Sequence, residues 1–353
     1  MGISFYTFQA LSYTIDVYRG SIAPTHDPVG FFAYVSFFPQ LVAGPIERAT
    51  HLLPQFHKKR SFDFASAVSG TRQIMWGLFK KVVIADNCAV IVNSVFANYS
   101  DVTGSTLFLG AVFFAFQIYG DFSGYSDIAI GTAKLFGIDL MQNFNYPYFS
   151  RNIAEFWRRW HISLTTWFRD YVYIPLGGSR CGKGRTFRNT AIIFLLSGFW
   201  HGANWTFVCW GAYHALLFAP LMFLGKNRNF REIVARDRKL PTVGETVQML
   251  TTFLLVAFGW IIFRANTIGD AWGYIGRLFS KSLLSKPILI GEENTIALVG
   301  IFFIVVMLLL EWIFRREAFV FGGRMSRAAI SCAIVFSVFS IYFFGGSSTM
   351  FIY

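Results

Sequence analysis

The chain is 353 residues long, with 54% hydrophobic, 19% aromatic and only 14% charged residues, and its formal net charge is +12. An ordinary soluble domain carries roughly 25% charged residues, so this composition excludes disordered, collagen-like and disulfide-stapled proteins and argues against a soluble enzyme. Several stretches without charge approach or exceed the about 20 residues that a membrane-crossing helix needs. We therefore predict an all-α, polytopic membrane protein. The stretches are residues 28–46, 102–120, 189–225, 246–263, 294–310 and 328–353.

The basic residues lie mainly in short clusters between the apolar stretches, which is typical of the inner loops of membrane proteins. We therefore expect contact with membrane lipid and no binding of nucleic acid. The four cysteines are far apart and form no Cys-x-x-Cys pair, so neither a metal site nor a disulfide framework is expected. The chain starts inside an apolar segment without a basic leader, which argues against a cleavable signal peptide. We predict one membrane domain over residues 1–353 that lacks some N-terminal membrane helices.

Loop charges predict an orientation. Loops 226–239 and 315–327 are strongly basic, whereas loop 266–294 between them is nearly balanced, which is the alternation expected of inside, outside and inside. By the same rule Lys58–Arg60 and the acid-free loop 177–189 lie inside. The loop around residues 98–104 lies outside, as does the C-terminus.

Both ends of the apolar stretch 190–224 then lie on the inner side. Its 35 residues give about 52 Å of helix, less than the about 60 Å that two full crossings require. We therefore expect a hairpin or a pair of broken helices that turns partway through the membrane at Gly198–Trp205. Irregular backbone at that depth persists only when it is buried in protein or faces a wet cavity, so a central cavity is expected beside the turn.

His201 lies in this turn and is the strongest candidate for chemistry, because ionisable side chains at membrane depth are rare and usually functional. Desolvation favours the neutral imidazole, which can accept a proton. The alternative is a histidine that only packs and hydrogen-bonds to a neighbouring helix. Trp200 and Asn204 flank it as candidate supporting residues.

His161 lies within an aromatic-apolar stripe at helical spacing that consists of Trp157, Trp160, Leu164, Trp167/Phe168 and Tyr171. The spacing predicts an amphipathic helix whose tryptophans lie at the membrane interface. That interpretation explains the stripe but leaves His161 unexplained, so His161 is a second candidate site residue. The arginines beside the stripe could attract a phosphorylated donor or simply meet lipid headgroups. They are Arg158, Arg159 and Arg169.

Asp121 and Asp127 follow an apolar run and could either end a helix in a polar turn or line a cavity. His214 lies deep in the second arm of the hairpin and is expected to be structural. No His-Glu-x-x-His, P-loop, dinucleotide-binding or nucleophile-elbow motif is present, so any chemistry must centre on imidazole.

At these residues the sequence resembles the membrane-bound O-acyltransferase (MBOAT) superfamily, and within it the alginate O-acetyltransferase branch. The pairing of Trp-Arg-Arg-Trp-His with Trp-His-Gly-Ala-Asn-Trp is the most specific part of the resemblance. The matching stretches are residues 2–20, 37–48, 121–131, 143–178 and 199–214.

The resemblance implies an MBOAT-type helical bundle in which His201 is the essential histidine and His161 the second signature position. It implies transfer of an acetyl group from a cytoplasmic thioester, acetyl-CoA or another acyl-thioester, to a polysaccharide outside a bacterial inner membrane, with no bound cofactor. The implied partners are a periplasmic SGNH-type acetyltransferase and polysaccharide-export machinery.

In the mechanism that joins both arguments, His201 is the general base, and His161 and Asn204 orient it or stabilise the oxyanion. The alternatives are peptidoglycan or D-alanyl acylation within the same superfamily and, from another class, a transporter or flippase.

Overall fold

The computed structural model describes residues 2–289, 291–323 and 325–345, and the regular secondary structure in this part of the chain is all helical, without a strand. The predicted all-α class is therefore confirmed. Fourteen α-helices occur in the described residues: α1 (Gly2–Tyr18), α2 (Pro28–Val35), α3 (Ala49–His57), α4 (Phe64–Leu78), α5 (Asp86–Ala97), α6 (Gly104–Leu135), α7 (Ile153–Arg159), α8 (Ile162–Phe168), α9 (Lys183–His201), α10 (Trp205–Phe223), α11 (Val243–Arg264), α12 (Ile268–Leu278), α13 (Glu293–Ile313) and α14 (Arg327–Phe344).

Helices α6, α10, α11 and α13 are long and apolar enough to cross a membrane, and α14 is apolar but shorter. These helices coincide with the apolar stretches found in the sequence, which confirms a multi-pass membrane protein. The predicted position of the C-terminus concerns residues 346–353, which lie outside the described residues.

The predicted crossing at residues 28–46 is wrong, because the structure breaks it into pieces. Helix α2 ends at Val35, and only a short 3₁₀ turn, Phe38–Gln40, follows. Pro39 lies in that turn, and a proline both lacks an amide hydrogen and disfavours helical geometry in the residue before it. The apolar composition of this segment therefore does not produce one membrane-length helix.

A long helical run from Phe64 to Ala97 was not among the predicted crossings. Helix α4 continues through a π-helical segment, Phe79–Ala85, directly into α5. Lys80 and Lys81 lie in this segment and are buried. These charges interrupt the hydropathy signal, although the backbone remains helical.

Helices α4 and α6 pack with their backbones in close contact. A methyl group on Gly131 would lie 2.5 Å from the carbonyl oxygen of Gly70, and one on Gly77 would lie 2.5 Å from that of Gly124. The two glycines of each helix are seven residues apart, so they fall on the same face. Small residues at such positions are a common way for membrane helices to approach each other.

Loops that the charge pattern places on one side of the membrane contact each other. On the predicted outer side, the Tyr99 hydroxyl donates to Asp270 at 3.1 Å and Arg277 donates to the carbonyl of Val102 at 2.8 Å. On the predicted inner side, Arg315 donates to the carbonyls of residues 234, 235 and 238. The predicted orientation is thus consistent with which loops lie together.

The α9–α10 hairpin turns where the sequence predicts it, but further along the bundle than expected. Its turn, Gly202–Asn204, reaches the residue just beyond α11, because Asn204 donates to the carbonyl of Asn266 at 2.8 Å. Helix α11 has 22 residues and is about 33 Å long. The first arm, α9, begins at Lys183, inside the basic loop, and is therefore longer than the apolar stretch alone would allow. Each arm has 19 residues.

Candidate active site

The helical segment is interrupted at His161, which lies between α7 and α8. His161 has φ 46° and ψ 54°, a left-handed conformation that is uncommon for a residue with a side chain. The segment from Asn143 to Asn145 runs alongside this break: the Ile162 amide donates to the Asn143 carbonyl at 2.9 Å, and the Asn145 amide donates to the Arg159 carbonyl at 3.0 Å. These bonds satisfy backbone groups that the interrupted helix leaves free.

The predicted single amphipathic helix is therefore wrong. Its aromatic stripe continues through two short helices, but Trp160, Leu164 and Trp167 are buried in the bundle core and do not lie at an interface. The periodicity identified the inward-facing residues correctly. It could not identify the break, because the hydrogen bonds that stabilise the break come from residues 14–20 positions earlier.

Asn143 fixes the orientation and the tautomer of His161. The Asn143 Oδ1 atom accepts from the Ser163 amide at 3.3 Å and from the Ser163 hydroxyl at 2.9 Å, and it lies 3.1 Å from His161 Nδ1. A backbone amide is always a donor, so the atom facing Ser163 is the amide oxygen, and His161 Nδ1 must carry the proton that it donates. The other ring nitrogen, Nε2, then presents a lone pair, and among the described residues it has no hydrogen-bond partner.

His201 is the last residue of α9 and lies among aromatic rings. Its ring centre is 4.8 Å from that of Trp200, 5.5 Å from that of Trp210 and 5.0 Å from that of Phe263. In the described part of the chain no hydrogen bond or ion pair reaches the His201 ring. Its ring nitrogens are therefore available to a substrate or to a second catalytic group.

His161 and His201 line the same cavity, which has a volume of about 70 Å³. That is room for about two water molecules at roughly 30 Å³ each. Among the described residues, no Lys, Arg, Asp or Glu side chain lines it. Thr165 and Ser197 contribute hydroxyl groups, and apart from the two histidines the other lining side chains are aromatic or aliphatic. In such an apolar chamber a hydrogen bond or a developing charge interacts more strongly than in water.

Trp200 and Asn204 both lie next to the cavity, but their side chains make different contacts. The Trp200 ring centre is 6.1 Å from that of His161 and 4.8 Å from that of His201, so it bridges the two histidines. Asn204 accepts from the Thr206 amide at 3.1 Å as the N-cap of α10 and also donates to Asn266. Its amide holds the hairpin turn in place and does not line the cavity.

The predicted helix end at Asp121 and Asp127 is wrong, since both lie inside the 32-residue helix α6. Each forms a buried ion pair on the far side of α6: Asp121 with Lys81 at 2.8 Å and Asp127 with Lys80 at 2.6 Å. Neither lines the cavity that contains the histidines. Their charges hold α6 against the π-helical segment, and the structure gives them no contact with the histidines.

The three arginines also lie outside the cavity. Arg158 donates to the carbonyls of residues 227, 229 and 230, and buried Arg159 pairs with Glu155 at 2.9 Å. Arg169 is exposed and pairs with its neighbour Asp170. Arg158 and Arg159 thus brace loops, and a role in binding the donor stays a prediction for all three.

His214 has the structural position that the sequence favours. It is fully buried, and the Trp157 indole donates to its Nδ1 atom at 3.3 Å. The residue that the sequence analysis did not single out is Asn143, which orients His161. Among the described residues no group of three or more His, Cys, Asp and Glu side chains lies close enough together to hold a metal ion.

Comparison with known proteins supplies the family. The model described as "MBOAT, membrane-bound O-acyltransferase family" matches residues 19–254, a range that contains both histidines and the hairpin. The chain belongs to the membrane-bound O-acyltransferase family. This confirms the resemblance that the two tryptophan–histidine motifs indicated.

Curated relatives place this MBOAT chain near the alginate O-acetyltransferase branch. It is 46% identical over 281 residues to a probable alginate O-acetylase (AlgI) of Pseudomonas aeruginosa, covering 79% of this chain and 51% of the relative. It is 36% identical to a peptidoglycan O-acetyltransferase of Helicobacter pylori, covering 77% and 55%, and 28% identical to a teichoic acid D-alanyltransferase of Bacillus subtilis, covering 75% and 69%. The chain spans about half the length of the alginate relatives it matches.

Proposed function

We propose that this MBOAT chain carries the acyl-transfer centre of a membrane O-acetyltransferase that modifies an alginate-like polysaccharide outside a bacterial inner membrane. The observation that carries the proposal is the shared, charge-free cavity of His161 and His201. The identity to alginate O-acetylases supports an acetyl group and a polysaccharide, and it exceeds the identity to the D-alanyltransferase by 18 percentage points (46 minus 28).

In the proposed reaction the donor is acetyl-CoA or another acyl-thioester that arrives from the cytoplasmic side. His201 removes the proton from an acceptor hydroxyl while the hydroxyl oxygen attacks the thioester carbonyl carbon. The carbon–sulfur bond then breaks, and the protonated imidazole returns its proton to the departing thiolate. The products are an O-acetyl ester and a free thiol, so atoms and charge balance without a metal or redox cofactor.

His161 acts in this scheme as the residue that orients His201. Because its Nε2 atom presents a lone pair, it can accept an N–H from His201, directly or through one water, and leave the other His201 nitrogen as the base. The Asn143–His161–His201 series resembles the order of a catalytic triad, in which a third group fixes the tautomer of the second. Asn204 supports the scheme only by holding the turn beside His201.

The proposed partners follow from the direction of transfer. A periplasmic SGNH-type acetyltransferase would receive the acetyl group and finish its transfer to the polysaccharide, and export machinery would deliver that polysaccharide. This proposal is supported by the contact of the hairpin turn with Asn266, just past the C-terminal end of α11, the end that the loop charges predict to lie outside.

The test uses the full chain in sealed vesicles together with the SGNH-type partner, with a thioester carrying a labelled acetyl group on the cytoplasmic side and alginate oligosaccharide on the partner's side as the final acceptor. The proposal predicts release of free thiol together with label in ester linkage on the acceptor. Uptake of label into the vesicles without thiol release would instead indicate a transporter. Either that result or the absence of both events would overturn the proposal.

A further inference from the structure

A second pocket lies on the predicted outer side of the bundle, separate from the cavity of the two histidines. It has a volume of about 260 Å³ and lies between the C-terminal end of α5 and the junction of α11 with α12. Its lining side chains with polar groups include Asn93, Tyr99, Arg264, Asn266, Asp270 and Tyr274, whose hydroxyl donates to the carbonyl of Leu107. It is slightly smaller than the roughly 300–1,000 Å³ of pockets for drug-sized ligands, which suits a single small ring.

This pocket adjoins the turn that carries His201. Its wall residue Asn266 accepts the hydrogen bond from Asn204, three residues after His201. One residue before Arg264, Phe263 contacts the His201 ring at 5.0 Å and lines the catalytic cavity. A molecule in the outer pocket would therefore be separated from the histidine cavity by the wall that residues 263–266 form.

Arg264 supplies a cation without a counter-ion. Its Nη2 atom donates to Asn93 Oδ1 at 2.9 Å, and its guanidinium lies 5.5 Å from the centre of the Phe96 ring. Among the described residues it forms no ion pair, and Asp270 of the same pocket is not within ion-pair distance. A guanidinium can hold a carboxylate through two parallel hydrogen bonds, so Arg264 is able to bind the carboxylate of a ligand.

Asp270 and Tyr99 provide groups suited to hydroxyls. The Tyr99 hydroxyl and the Thr267 side chain both donate to the Asp270 carboxylate. The hydrogen bond from Thr267 and then that from Tyr99 hold the pKa of Asp270 below its usual value, so the carboxylate stays ionised. A carboxylate accepts about four hydrogen bonds, which leaves it able to receive one from a ligand hydroxyl.

We propose that this outer pocket binds a carboxylate-bearing sugar ring of the acceptor, with the sugar carboxylate on Arg264 and its hydroxyls toward Asp270 and Tyr99. This inference rests on the proposed function for its biological meaning, because it makes the pocket the acceptor side of the same reaction. The binding itself can be measured without any donor.

The experiment measures binding of a uronic-acid oligosaccharide to the full chain in nanodiscs by calorimetry, without thioester. Arg264→Gln should weaken binding roughly 10- to 100-fold, as expected for losing a charge-assisted hydrogen-bond pair. Arg264→Lys should give an intermediate loss, because it keeps the charge but loses the forked geometry. Lys281→Gln, which removes an exposed cation from the same outer loop, should bind like the wild type, and a neutral oligosaccharide of equal length should bind wild type at least tenfold more weakly.

Equal binding of the charged and neutral oligosaccharides, or binding unchanged by Arg264→Gln, would overturn the proposal. If Arg264→Gln fails to fold, as judged by its melting temperature, Asn93→Ala decides instead, because it removes the partner that aims the guanidinium and should also weaken binding. Inorganic phosphate that competes equally well would point to a general anion site and contradict a sugar site.

Uronate binding without acyl transfer would overturn only the proposed function, whereas acyl transfer without Arg264-dependent binding would overturn only this inference.

Discussion

The two sides of α6 differ in which polar side chains they contain and in how those side chains are paired. On the side of α4 and α5, charges are buried but paired: Lys80 with Asp127, and Lys81 with Asp121 and Asp86. On the side of the α9–α10 hairpin, the cavity is lined by two histidines and, within the described part of the chain, by no charged residue. The ion pairs hold helices together, whereas the imidazoles remain available for a reaction.

Close backbone contact occurs on both sides and does not explain this difference. Gly70 and Gly77 bring α4 against α6, and in the hairpin a methyl group on Gly198 would lie 2.2 Å from the carbonyl of Phe207. What differs is the surrounding chemistry, because aromatic rings fill the hairpin side and carboxylates fill the other. The comparison predicts that substitutions on the ionic side lower stability, while those near the histidines lower activity.

The largest expected effect is on the stability of the ionic side. Lys80→Met leaves the Asp127 carboxylate, whose side chain is only 14% exposed, without its cation and should lower the free energy of unfolding by about 3–5 kcal/mol. Equilibrium unfolding of the detergent-solubilised protein measures this. The double variant Lys80→Met with Asp127→Leu should recover most of the loss, and Lys59→Met, on an exposed loop, should cost little. A double variant as unstable as the single one would contradict the ion-pair explanation.

The next effect concerns the helix contact beside the ion pairs. Gly131→Ala places a methyl group 2.5 Å from the Gly70 carbonyl and should destabilise the protein by about 1–3 kcal/mol, because the two backbones must separate. Gly184→Ala is a matched control, since nothing lies within 4 Å of the added methyl group. The same unfolding measurement should show a loss only for Gly131→Ala, and equal stability of both variants would argue against tight α4–α6 packing.

On the histidine side, Asn143→Ala should lower the rate of acyl transfer about 10- to 100-fold, because His161 loses the acceptor that fixes its ring. Asn143→Asp retains an acceptor for Nδ1 and should retain more activity than Asn143→Ala. The ratio of the two turnover rates, measured at equal melting temperature, tests the orienting role. Equal rates for both variants would show that the hydrogen bond to His161 does not matter.

The smallest effect tests whether a paired histidine behaves differently from the cavity histidines. A hydrogen bond to Glu47 raises the pKa of His51, which lies on α3, outside the candidate membrane spans. A raised pKa in the folded state contributes stability below the unfolded value of about 6.5 and loses it as the pH rises through the folded value. His51→Gln should therefore lower the free energy of unfolding near pH 5.5 more than near pH 8.5. The difference should be about 1 kcal/mol or less, because the His51 side chain is 43% exposed although Glu47 is buried. A loss independent of pH would contradict it.

Sequence patterns predicted the parts of the fold in which local composition decides the structure. Helices α10, α11 and α13 expose apolar side chains such as Leu216, Leu254 and Leu309, so a hydropathy window detects them. The α4–α5 run was missed because Lys80 and Lys81 lower its local hydropathy, while Asp127 and Asp121, which pair with them, lie 47 and 40 positions further along the chain, outside any local window. The seven-residue spacing of Gly70 and Gly77, and of Gly124 and Gly131, was the sequence signal that could have indicated this pair of packed helices.

The candidate site was predicted to a similar extent. The aromatic stripe and the hairpin identified His161 and His201 because rare polar groups in apolar surroundings stand out in a sequence. Asn143 was missed because its partners, His161 and Ser163, lie 18 and 20 positions further along the chain, and its own surroundings resemble an ordinary turn. How far the hairpin turn extends along the bundle is shown by the contact between Asn204 and Asn266, which only the folded bundle reveals.

The account's central claim is that His201, in the cavity it shares with His161, is the base for acyl transfer. The most direct test compares acetyl transfer by His201→Gln with that by His57→Gln, an exposed histidine exchanged for the same residue, at matched expression and melting temperature. The account predicts that transfer falls by roughly 10²- to 10⁴-fold in His201→Gln and stays at the wild-type rate in His57→Gln. Wild-type transfer by a stably folded His201→Gln would contradict it.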